Sequence, residues 1–122
     1  MLTRAEIKWL HGLTRKRQRD AEGLFIAEGP KIVGDLLALL PCRLLLATAD
    51  FLQSKAQWSA AEVRELSASE LARVSLLQAP QQVVAVFEKP TPAPWQPTDE
   101  LALVLDGVQD PGNVGTIIRL AD

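Results

Sequence analysis

Residues 106–119, "DGVQDPGNVGTIIR", hold the side chains best suited to chemistry. Two aspartates, Asp106 and Asp110, and two glycines, Gly107 and Gly112, surround a Pro-Gly pair that demands a sharp reversal. Asn113 stands where a helix N-cap is wanted. Beyond it Val114, Ile117, Ile118 and Ala121 recur at helical spacing and form one apolar stripe, leaving Thr116 and Arg119 on another face. Gly115 lies one turn before Arg119 and has no side chain to hold off a sugar-phosphate backbone, while Arg119 has the reach to grip a phosphate or ribose oxygen. The pattern suits an anionic, sugar-bearing ligand.

Spacing alone is not decisive. The stretch has neither the G-x-G-x-x-G spacing of a dinucleotide loop nor a Walker lysine, which disfavours a common cofactor loop. Asp106 and Asp110 can equally be turn residues bonding local amides, and Arg119 a solvated helix residue paired with Asp122 three positions on. No metal-ligand spacing or nucleophile–base pair is visible, so no metal site is expected.

These residues need a scaffold. "LALVL" (101–105) is apolar at every position, the pattern of a strand covered on both faces in a parallel, helix-flanked sheet. Upstream, helices and strands alternate. Thr3 with Glu6 forms a capping-box pair opening a short helix that Gly12 can close, and Ser67 with Glu70 forms a second. Pro30 opens a helix whose apolar stripe is Ile32, Val33, Leu36, Leu37 and Leu40. "LFIAE", "RLLLAT", "EVREL" and "QVVAVFE" read as strands, and "DFLQSKA" as a short helix. Between them and the terminal stretch, residues 88–100 hold four of the eight prolines, and Trp95 is the residue expected to pin this segment against a neighbour. The expected division is a domain over 1–87, a Pro-rich linker over 88–100, and the start of a second domain over 101–122.

Composition sets the outer limits. The chain has 122 residues, 48% of them hydrophobic, enough for one core of ordinary domain size. Lone Cys42 cannot form an internal disulfide, and the N-terminus lacks the layout of a secretory signal, so a reducing, cytoplasmic home is expected. The apolar runs fall short of the roughly 18 residues a membrane span needs. The net charge of −2 hides an asymmetry: residues 1–31 carry seven Lys and Arg against four acids. "RKRQR" (15–19) is the centre of this basic end and reads either as a localised polyanion contact or as a solvated loop that aids solubility. Glu28 is expected to favour the helix N-terminus that follows it, and His11, Trp9, Trp58 and Cys42 to be structural.

The terminal stretch "LDGVQDPGNVGTIIRLAD" closely resembles the first sequence motif of the SpoU, or TrmH-like, RNA 2′-O-ribose methyltransferases of the SPOUT superfamily, with Asn113, Gly115 and Arg119 in the motif's positions. "FIAEGPKIVGDLL" is similar to a segment of that family's N-terminal substrate-binding domain, and "PQQVVAVFE" to the strand that closes it, with Gln82 standing where the family has glycine. The resemblance implies an α/β fold: a three-layer α/β/α RNA-binding domain like the ribosomal proteins that bind kink-turns, followed by the first β-α unit of a knotted SPOUT domain. It also implies a parent enzyme, usually a homodimer, that uses S-adenosylmethionine on rRNA or tRNA. The later motifs that form the methyl-donor pocket have no counterpart in these 122 residues, so the chain is expected to bind RNA and to be inert by itself. Arg119 would be the motif arginine, acting either as proton acceptor or as electrostatic stabiliser, and Asn113 would hold the site together. RNA phosphates would be met by Arg15, Lys16, Arg17, Arg19 and Lys31. A non-enzymatic RNA-binding module and a phosphate- or nucleotide-binding α/β protein stay open as alternatives.

Overall fold

Local signals account for most elements in the computed structural model, which describes residues 1–54 and 59–122. Thr3 Oγ1 accepts from the Glu6 amide at 3.1 Å, and Glu6 Oε2 accepts from the Thr3 amide at 2.7 Å. That reciprocal pair opens α1 (Arg4–Gly12). Ser67 and Glu70 repeat the device for α5 (Ala68–Val74), at 3.2 and 2.9 Å. Thr48 caps α4 (Ala49–Gln53), and Pro30 supplies the first residue of α3 (Pro30–Leu37). Gly29, before it, has φ of +111°, a conformation open to glycine at little cost, and its amide donates to the Val83 carbonyl at 3.0 Å.

The described residues form two compact units, Met1–Thr91 and Pro92–Asp122. The first is built on a mixed sheet of β1 (Leu24–Glu28), β2 (Cys42–Ala47), β3 (Val63–Glu65) and β4 (Val83–Glu88), ordered β1-β4-β2-β3. β4 runs antiparallel to both its neighbours, and β3 lies parallel to β2. The two central strands are largely apolar because both faces are covered. Leu44, Leu46, Val84 and Val86 meet Leu10, Leu13, Leu71 and Val74 on one face. Leu45, Ala47, Val83, Ala85 and Phe87 meet Val33 and Phe51 on the other. This is the expected three-layer α/β/α arrangement.

Several local expectations are corrected. The basic run is a helix, α2 (Lys16–Glu22), with Arg15 as its N-cap residue. Gly23 ends it in the left-handed conformation, donating to the Arg19 carbonyl at 2.8 Å. Gly12 does not close α1; Leu13 takes the C-cap, and a Cβ at Gly12 would lie 2.2 Å from the Gln18 carboxamide oxygen. The glycine makes room for α2. Ile32 falls outside the buried stripe of α3 and is exposed. Glu28 does not serve the α3 N-terminus: its carboxylate accepts from the Ser75 hydroxyl and from the Leu76 amide, fastening the segment after α5 to β1. Gln82 is accommodated without a positive φ, its carbonyl accepting from the Thr48 amide at 3.0 Å. Trp58 and the Lys55–Ala56 end of the expected "DFLQSKA" helix lie outside the described residues.

Cys42 is buried, its thiol resting 3.5 Å from the Leu44 carbonyl, and burial pushes it up to about 11 from an ordinary 9.0. At pH 8 its thiolate fraction should be about 100-fold below that of a free thiol, since each unit is tenfold. Iodoacetamide is therefore expected to label native protein slowly and urea-unfolded protein fast. Equal labelling rates would contradict the buried placement.

In the second unit α6 (Pro111–Ala121) is the described element. Residues 101–105 pair with no strand among the described residues, and Leu101, Leu103 and Val104 are exposed. The expected strand is thus corrected: an apolar run becomes a strand only where a neighbour takes its amides and carbonyls. Trp95 is 74% exposed, so the expected pinning of this segment against a neighbour is not seen among the described residues. No described helix is long and apolar enough to cross a membrane.

Candidate nucleic-acid interface

The Met1–Thr91 unit carries a basic cleft. α1, the start of α2 and α5 enclose about 680 Å³ lined by Arg4, Ala5, Ile7, Lys8, Trp9, His11, Gly12, Arg15, Gln18 and Arg73. Four guanidinium or ammonium groups and one imidazole share these walls with no carboxylate. Arg4, Lys8, His11 and Arg15 are spaced to fall along one side of the α1–α2 corner, a pattern readable in the sequence. Arg73 arrives from far along the chain on α5 and is not.

Of the five residues expected to meet RNA, only Arg15 lines this cleft. Lys16 is exposed and bonds Asp20 at 2.7 Å, while Asp20 also takes Lys89 at 2.6 Å. The Lys16 and then the Lys89 hydrogen bonds pull the Asp20 carboxyl from an ordinary 3.8 to about 2. Because the folded value is the lower one, this tether is intact above about pH 4 and is lost as pH falls towards 2. Arg19 is turned inward, its Nη1 donating to the carbonyls of Leu13 (3.1 Å) and Thr14 (2.6 Å). Arg17 is exposed on α2 outside the cleft.

Lys31 is separated from the run by the whole of β1, at about 3.3 Å per residue. It borders a different cleft, of about 490 Å³, with Glu28, Gly29, Pro30, Ile32, Asp35, Leu77 and Gln81. Carboxylates share that site. Lys31 and Arg15 therefore line different clefts.

Trp9 is half-buried against the core, its indole Nε1 donating to Glu22 at 2.8 Å, so its role is structural even though it edges the cleft. His11 is exposed and its carbonyl accepts from the Thr14 hydroxyl at 2.8 Å. Among the described residues no group of three His, Cys, Asp or Glu could hold a metal ion.

In the Pro92–Asp122 unit the helix start differs from the sequence expectation. Asp110, not Asn113, is the N-cap of α6, its Oδ1 accepting from the Gly112 amide at 2.8 Å. Pro111 decides this: lacking an amide proton and fixed in φ, it fits the first helical position and holds its predecessor extended. Asp110 is thus a turn-former, and Asn113 is an exposed residue of the first turn. Asn113 and Arg119, six residues apart, are separated by about 9 Å of helical rise and project from different faces. Gly115 and Arg119 do share a face, and a Cβ at Gly115 would meet nothing within 4 Å. Thr116 turns its hydroxyl back to the Gly112 carbonyl at 3.0 Å. Arg119 is exposed and makes no ion pair among the described residues, so the expected alternative pairing with Asp122 is not formed.

The surroundings of Asn113, Gly115 and Arg119 are open. A cleft in this unit, about 490 Å³ between Leu103, Leu105, Ile117, Ile118, Ala121 and Asp122, is walled chiefly by aliphatic side chains. It offers little to the charged amino-acid part of S-adenosylmethionine, and the described residues do not fit that group.

Comparison with known proteins agrees with the domain geometry. Residues 4–85 match the MRM3-like substrate binding domain. The 23S rRNA (guanosine(2553)-2′-O)-methyltransferase RlmP of Bacillus subtilis is 30% identical over 90% of this chain and 44% of its own length. A solved structure of a TrmH-family RNA methyltransferase from Porphyromonas gingivalis is 41% identical, with a TM-score of 0.77 over all of this chain and 49% of that one. An AdoMet-bound rRNA methyltransferase from Sinorhizobium meliloti is 28% identical, with a TM-score of 0.50 over 74% of this chain and 35% of that one. The chain spans less than half the length of the curated relatives it matches. With the match running from the first residue of α1 into β4, the chain belongs to the MRM3-like substrate-binding domain family.

Proposed function

We propose that these 122 residues bind structured RNA on behalf of an S-adenosylmethionine-dependent RNA 2′-O-ribose methyltransferase. The supporting observation is the union of a substrate-binding domain over 4–85 with an Asn113, Gly115 and Arg119 motif on α6. Relatives named for rRNA favour rRNA over tRNA as the substrate class. Methyl transfer belongs to a polypeptide of the relatives' length, working as a homodimer, and the 122 residues alone bind RNA without turning it over. The buried, unpaired Cys42 favours a reducing compartment, the cytoplasm.

In this reading the first unit holds the RNA, and α6 presents its open Gly115–Arg119 face to the ribose that reacts. A 2′-hydroxyl is a poor neutral nucleophile, so alignment and stabilisation of the forming alkoxide are what the protein supplies. Arg119 is suited to the second task, since a guanidinium keeps its proton and its charge.

The test uses radiolabelled S-adenosylmethionine and ribosomal RNA with a polypeptide of the relatives' length. Label should enter alkali-resistant dinucleotides, the mark of a blocked 2′-oxygen. The 122-residue chain should retard the same RNA in a gel and give no heat with S-adenosylmethionine by calorimetry. Label on a base, or no label, would overturn the enzymatic reading; absence of retardation would overturn RNA binding.

A further inference from the structure

We propose that Arg4, Lys8, Arg15 and Arg73 form a single RNA phosphate-binding cleft on the α1–α2–α5 face, taking adjacent phosphodiesters of the RNA backbone. The proposal rests on the RNA-binding reading above and moves its centre from the exposed α2 run to a concave site.

Unpaired cations gather in this cleft. The fold pairs several of its other cations: Lys16 and Lys89 with Asp20, Arg64 with Glu6 and Glu62, and Arg43 with Glu88. Arg19 is spent on carbonyls. The four cations of the cleft make no ion pair among the described residues, and no acid lies on its walls. Like charges gathered in a concavity repel one another, and a polyanion relieves that repulsion.

The cleft floor is also made ready for an anion. It includes the C-terminal turn of α1, where bare carbonyls would repel a phosphate. Those carbonyls are covered by local donors. The Gln18 carboxamide donates to Trp9 at 3.2 Å, the Thr14 hydroxyl to His11 at 2.8 Å, and Arg19 to Leu13 and Thr14. The Leu13, Thr14 and Arg15 amides also turn back onto this end. α2 thus neutralises the end of α1 and delivers Arg15 beside it.

Rigidity and reach complete the site. α1 is held by its capping box and by the Glu6–Arg64 pair at 2.7 Å, and α2 by the Asp20–Lys89 pair. Guanidinium groups from three elements can each take two oxygens of a phosphate. About 680 Å³ of open cleft is room for a short run of backbone, with the bases left outside. Recognition here is of phosphate and shape, without base readout.

The probe is a fluorescein-labelled stem-loop RNA, read by anisotropy with the 122-residue chain across a salt series. Arg4→Ala/Lys8→Ala/Arg73→Ala should lower the slope of log affinity against log salt by about two to three, at roughly 0.7–0.9 for each phosphate no longer neutralised. Lys16→Ala/Arg17→Ala should change it by less than about one. A triple variant with the wild-type slope, or a double variant that loses more, overturns the cleft and leaves RNA binding standing. Wild-type protein with no salt-dependent binding overturns RNA binding itself. Polyglutamate competing as well as unlabelled RNA would also overturn the proposal, since the cleft would then take any polyanion. Should the triple variant unfold, nitrogen-15 spectra of wild-type protein decide: RNA must shift the Trp9 indole and the Arg15 and Arg73 amides, and unmoved signals there overturn it.

Discussion

Phe87→Ala is expected to remove a large share of the folding free energy of the Met1–Thr91 unit. Phe87 lies on central strand β4, is 0% exposed and is the largest of the fully buried side chains among the described residues. It faces Cys42 on one neighbouring strand and Phe25 on the other, and its ring stacks on Phe25 at 5.8 Å between centroids and 28° between planes. Removing it takes a full aromatic ring out of the layer that α3 and α4 cover, in the middle of the sheet where collapse is hardest. Such truncations cost about 3–5 kcal/mol, a large share of the roughly 5–15 kcal/mol of a whole domain. Urea unfolding should show the midpoint falling with an unchanged slope. Phe25→Ala, at a half-buried edge position, should cost less. A variant that melts within a few degrees of wild type would mean the α3–α4 layer is not packed as described.

How much of the fold is legible in the sequence follows from how locally each signal acts. The capping boxes at Thr3 and Ser67 need only residues three positions apart, and both form as the spacing predicts. The unbroken apolar run "VVAVF" reads as a strand because covering both faces is the ordinary reason for such a run. Sequence and structure part where a second element decides the outcome. "KRQRDAE" looks like a polar loop by hydropathy, yet it is a helix because Gln18 and Arg19 fasten it to the end of α1. Glu28 stands next to the start of α3, but its partners Ser75 and Leu76 lie far along the chain. "LALVL" has the composition of a strand and no described strand beside it. The basic cleft is half legible: the spacing of Arg4, Lys8, His11 and Arg15 is in the sequence, whereas Arg73 joins them only through the packing of α5 against α1.

Arg119→Ala, made in an enzyme of the relatives' length, is expected to lower methyl transfer by about 100- to 1,000-fold, the usual loss when one preorganised charge beside a developing oxyanion is removed. Two features of α6 in this chain support a ligand contact at Arg119. Arg119 is exposed and holds no ion pair among the described residues, so its removal breaks no salt bridge in the helix. Its neighbour Thr116 is turned to the backbone, so Arg119 is the cation that this face presents to a ligand. Binding of S-adenosylmethionine should be unchanged and turnover lost; added guanidinium should restore part of it if charge is what was removed. Gly115→Ala supplies the matching control. Within these 122 residues an alanine there meets nothing within 4 Å and should favour the helix by up to about 1 kcal/mol, so a fall in turnover with the fold intact would show that the reaction needs the space. Full activity in the Arg119 variant would exclude the arginine from the chemistry, and full activity in the Gly115 variant would place the ribose on another face of α6.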